Sequence, residues 1–156
     1  MGLSIHYSGA FNQAESLSKM IEEVKDIAKV YQWHYHIFND AFAKEDLGKV
    51  EYSQDVFGIN FTPTNCETVS LIFLSNGRMS SLVNLQAFGL SSQKKEQDYL
   101  YMVFAKTQYA GIEIHKLLIH LFKYLSKKYL YSQNYKAMNR NSNFRDTLRL
   151  IHTAKK

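Results

Sequence analysis

The sequence predicts an α+β fold: a two-layer sandwich in which a mixed, mainly antiparallel sheet of about five to six strands carries two long helices on one face, with a short C-terminal helix. Three observations predict it. Two stretches carry apolar residues at helical spacing, and the segments between them alternate apolar and polar residues at the period of a strand. The chain order contains only one strand–helix–strand crossover, which leaves the remaining strands to pair mostly as antiparallel neighbours.

Residues 3–7 alternate and read as a strand that ends at Ser8-Gly9. Leu17, Met20, Ile21, Val24, Ile27, Ala28 and Tyr31 then follow the i, i+3, i+4, i+7 pattern and predict a helix over 13–31. Asn12 with Glu15 has the spacing of a capping box, and Glu22, Glu23, Asp26 and Lys29 fall on the solvated side. Residues 33–38 form a second alternating strand, 39–48 a loop, and 50–61 one or two further strands. Residues 67–75 are rich in strand formers and lead into Asn76-Gly77. Both of these residues tolerate the positive φ of a type I′ turn, so a hairpin is expected, with a return strand from Arg78 to about Leu85. A polar loop over 91–98 precedes a mostly apolar strand over 99–105. Ile114, Leu117, Leu118, Leu121, Phe122 and Leu125 mark the buried stripe of a second long helix over 109–131. Residues 132–143 read as a loop, and Phe144, Leu148 and Ile151 suggest the short final helix. No repeat, low-complexity tract or linker divides the chain, so residues 1–156 read as one domain.

Composition narrows the function classes. With 46% hydrophobic residues, eleven Tyr and ten Phe, the chain can build a core without covalent staples. Its single cysteine, Cys66, excludes an intramolecular disulfide and a cysteine zinc cluster within one chain. The N-terminal residues lack the basic and long apolar regions of a signal peptide, and no apolar run approaches the roughly 20 residues that span a bilayer. A cytoplasmic location without a membrane partner is the default expectation.

Charge is distributed unevenly along the chain. Residues 1–105 carry 8 Lys/Arg against 12 Asp/Glu, whereas residues 106–156 carry 11 against only Glu113 and Asp146. A segment this basic suggests an acidic partner. From Phe122 to Tyr131 cations interleave with aromatic rings, and Tyr135, Lys136, Arg140, Phe144, Arg145 and Arg149 continue the pattern. Nucleic-acid surfaces combine these two residue types, cations for phosphates and rings for bases. Lys123, Lys127, Lys128, Arg140, Arg145 and Arg149 are therefore the candidate partner-binding residues, the plainer alternative being an ordinary solvated face.

No complete catalytic or cofactor motif occurs, and the reading leans away from an enzyme. Alternation places His6 opposite Leu3, Ile5 and Tyr7, and places His34 and His36 opposite Trp33, Tyr35 and Ile37. If the two strands were neighbours, these histidines would meet on the helix-free face as a three-imidazole zinc site of hydrolytic type. No carboxylate lies in either strand to support it, so no cofactor is expected, with zinc the one alternative. His115 reads as a hydrogen-bonded histidine at the core margin and His120 as exposed; five apart, they cannot share one ligand face. Cys66 reads as an inert small apolar residue, its alternative being a nucleophile paired with a distant histidine. Lys106 and Thr107 precede the second long helix and form a candidate anion site, although Thr107 as a plain helix cap accounts for the same residues. The leading expectation is a small intracellular binding module with a basic, Tyr-rich C-terminal third directed at an acidic protein or nucleic acid. A metal-dependent hydrolase on the strand histidines and a small-molecule or anion-binding domain are the alternatives.

Overall fold

The computed structural model describes residues 4–89 and 93–130. The first long helix, α1 (Ser16–Val30), follows β1 (Ser4–Tyr7) and buries Leu17, Met20, Ile21, Val24 and Ala28, the stripe its periodicity predicts. Its ends differ from expectation. The capping box does not form: Glu15 already has helical dihedrals (φ −71°, ψ −14°) at the cap position, and no side chain caps the helix. The chain instead enters through a turn in which the Ser16 N–H donates to the Gln13 carbonyl. At the other end Gln32 adopts φ +59°. That left-handed residue lets the Gln32 N–H reach the Lys29 carbonyl and the Trp33 N–H reach the Ala28 carbonyl, the paired bonds of a Schellman motif. The role usually falls to glycine, which is why the sequence does not announce it.

Among the described residues six strands form two antiparallel sheets. One orders β2 (His34–Ile37), β3 (Phe57–Thr62), β4 (Val69–Phe73) and β5 (Met79–Ser80); the other pairs β1 with β6 (Val103–Lys106). Every ladder is antiparallel, and the one parallel contact among the described residues is the isolated Asn39–Phe57 bridge, so the expected mixed sheet is not what forms. The sheets meet edge to edge. Ala10 bridges Arg78, the Met79 N–H donates to the Gly9 carbonyl at 2.8 Å, and the Glu67 N–H donates to the Lys106 carbonyl at 3.4 Å. Hence β5 and β6 both lie between β4 and the segment 4–11, as two halves of one interrupted strand.

The interruption spans residues 81–102 and corrects two expectations. The return strand stops at Ser80 because the Ser81 hydroxyl caps α2 (Leu82–Phe88) by accepting from the Asn84 N–H at 3.0 Å. The presumed polar loop contains α3 (Lys94–Tyr99), and the last strand begins only at Val103. The Asn76-Gly77 turn also takes another form. Gly77 has φ +86° while Asn76 is not among the positive-φ residues, and the Gly77 N–H donates to the Leu74 carbonyl while the Leu74 N–H donates to that of Arg78. This is a three-residue loop with a glycine bulge, not a type I′ turn. Asn76 is buried, its Oδ1 accepting from the Arg78 N–H and its Nδ2 donating to the Tyr101 hydroxyl.

The main core joins α1, the inward residues of β1, β3, β4 and β6, and the second long helix, α4 (Ile112–Lys128), through Leu118, Ile119, Leu121, Phe122 and Leu125. Both long helices therefore pack into one core on one side of the strands. A smaller cluster of Leu74, Leu100 and Tyr101, flanked by Tyr52, Leu85 and Phe88, covers the opposite side where the insertion folds back. The two-layer description thus holds over only part of the sheet. No helix among the described residues is long and apolar enough to cross a membrane. The expected loop over 132–143 and the short final helix lie outside the described residues.

Candidate functional site

The outward surface of α4 carries Lys116, His120, Lys123 and Lys127, all exposed. At 100° per residue their spacing confines them to an arc of about 60°, so they form a single row along the helix. Among the described residues none of the four side chains has an ion-pair or hydrogen-bond partner, and Glu113 in the first turn is the one acidic residue of the helix. The opposite side of α4 is buried in the core, so the row sits on a rigid support.

Beside the row, α4 is fastened to α1. Glu23 Oε1 accepts from the Lys128 ammonium at 2.7 Å and the Tyr124 hydroxyl at 2.8 Å, and Oε2 accepts from the Tyr129 hydroxyl at 2.5 Å. Desolvation alone would raise the Glu23 carboxyl, but the bonds from Lys128, Tyr129 and Tyr124 outweigh it and hold the group below the usual glutamate range. The same Glu23 bond pushes the Lys128 ammonium up, and burial with the Glu23 contact pushes the Tyr129 hydroxyl up. Two expectations change. Glu23 is only partly exposed and is engaged by α4, and Lys128 is not a free member of the basic surface, since a carboxylate of α1 has claimed it. Lys123 and Lys127 remain exposed as expected, whereas Arg140, Arg145 and Arg149 lie outside the described residues. Lys116 and His120, whose places on the outer face follow from the helical period that located the core stripe, join the row although neither is among the candidate partner-binding residues.

The strand histidines do not converge. β1 and β2 belong to different sheets, and three strand positions separate them. His6 and His36 are therefore roughly 19 Å apart across the sheet, at about 4.8 Å per strand step. His6 stacks on Phe104, and His36 packs edge-on against Phe38. Among the described residues no group of three or more His, Cys, Asp or Glu is placed to hold a metal.

Thr107 is neither an exposed anion ligand nor the helix cap. It is buried, and its hydroxyl lies 2.6 Å from His115 Nδ1, while Gly111 (φ +90°) occupies the cap position of α4. His115 is thus the hydrogen-bonded histidine that its place at the edge of the stripe predicts. Lys106 is exposed, and its N–H donates to the Glu67 carboxylate at 3.0 Å. Burial pushes the Cys66 thiol up, with the Glu67 charge adding to it, opposite to the shift that activates a nucleophile. Asn39, Asp40, Ala41, Asp55 and Phe57 line a shallow open cleft. No known family, curated protein or solved structure matches this chain.

Proposed function

We propose that this chain is a small, non-catalytic binding module, one domain over 1–156 and cytoplasmic, that engages an acidic partner through the outward face of α4. The observation that carries this reading is the Lys116–His120–Lys123–Lys127 row. Cations left without internal partners on a core-anchored helix present a positive potential that no internal carboxylate has to release first. Lys128 marks the contrast: it is committed to Glu23 and serves to fasten the helix. Separation of His6 from His34 and His36, and the raised Cys66 thiol, weigh against the hydrolase alternative.

Retention on immobilised heparin tests the proposal. The wild type should be retained at low ionic strength, and the Lys123→Gln/Lys127→Gln variant should elute at clearly lower salt with an unchanged melting temperature. A wild type that flows through, or a variant that elutes with it, contradicts the reading.

A further inference from the structure

Resting on that reading, we infer that the partner of the α4 row is the phosphodiester backbone of a nucleic acid, bound without reading base sequence. Lys116 to Lys127 spans about 16 Å of helix axis at 1.5 Å per residue. The phosphates of a duplex strand wind around its axis while a row of side chains on a helix runs straight, so the three lysines face about one phosphate each, about three in all. Every fixed cation in the row is lysine, with no arginine. Lysine meets a phosphate as a mobile point charge, without the planar fork by which arginine fixes carboxylates and phosphates in one geometry, which suits a contact that follows charge rather than shape.

The surroundings of the row argue the same way. A protein interface requires aromatic or apolar anchors in a desolvated centre, from which lysine is depleted. Among the described residues of α4, the exposed large apolar side chains are Ile112 and Tyr124. Ile112 stands at the start of the helix, ahead of the row, and the Tyr124 hydroxyl is bound to Glu23 with Lys128 over its ring. Neither offers a centre for a protein to bury. Nor does the row contain Asn, Gln or Arg, the side chains that read base edges by paired hydrogen bonds.

Fluorescence anisotropy with the full chain separates the outcomes. Two labelled 20-base-pair duplexes of unrelated sequence should bind with affinities within about twofold of each other, because contacts to phosphates carry no sequence information. Polyglutamate at the same charge concentration should compete poorly. Lys116→Gln/Lys123→Gln/Lys127→Gln should weaken both duplexes by on the order of tenfold or more, with the melting temperature held. Polyglutamate competing as well as duplex would overturn this inference and leave the binding-module proposal standing. Strong preference for one sequence, or full binding by the triple variant, would also overturn it. Binding to neither polyanion would remove the binding-module proposal itself.

Discussion

The Tyr7 hydroxyl accepts a hydrogen bond from the Ser70 backbone N–H at 2.9 Å, where β4, paired with β3 on its other side, has run past the end of its ladder with β5. Both residues are buried, and burial pushes the tyrosine hydroxyl well above its ordinary range, so it stays neutral and able to accept. Around the same break, Ser70 Oγ donates to the Ser80 carbonyl and Ser80 Oγ donates to the Leu100 carbonyl. Side chains thus supply hydrogen bonds where the interrupted strand cannot. Tyr7→Phe keeps the ring stacked on Phe122 but leaves the Ser70 N–H buried and unsatisfied. The expected cost is about 1–3 kcal/mol, a drop of several degrees in melting temperature. An unchanged melting temperature would show that the hydroxyl does not close the gap.

Glu23→Gln should loosen the contact between α1 and α4. Because the carboxylate is partly exposed, the loss is expected at about 1 kcal/mol or less. The pH dependence has a definite sign. A carboxyl held below its unfolded value stabilises the fold above that unfolded value, and the contribution is lost as pH falls through the folded one. Melting temperatures recorded from neutral to acidic pH should therefore differ most near neutrality and converge on acidification. A difference that grows toward acid would contradict the assignment.

Gln32→Gly should raise stability by up to about 0.5 kcal/mol. Gln32 bears the strain of φ +59°, and glycine removes it while losing more freedom on folding. The Schellman bonds to Lys29 and Ala28 are made by the backbone and survive the substitution. Thermal unfolding checks this, and a clear destabilisation would mean that the glutamine side chain is needed there.

Elements defined by a repeating pattern were legible in the sequence, and elements defined by a single local contact were not. The apolar stripes of α1 and α4 declare themselves because four or five residues repeat the same spacing and enter one core. The α2 start was hidden because Val83 favours strand and the turn at Asn76-Gly77 promises a longer return strand, and one hydroxyl, that of Ser81, decides otherwise. Strand order was hidden for a different reason. Alternation tells which face His6 and His36 occupy but carries no information about which strands become neighbours, so the two were expected together and lie at opposite edges. For the basic surface, residue type and helical period gave Lys116, Lys123 and Lys127 on the outer face of α4, but only packing shows that Lys128 belongs to Glu23.

The salt dependence of duplex binding tests the central claim most directly. Each phosphate neutralised contributes about −0.9 to the slope of log K against log salt, so three lysines should contribute about −2.7. The wild-type slope should therefore be steeper than that of Lys116→Gln/Lys123→Gln/Lys127→Gln by about that amount. Equal slopes for the two proteins would show that the α4 row does not meet phosphates.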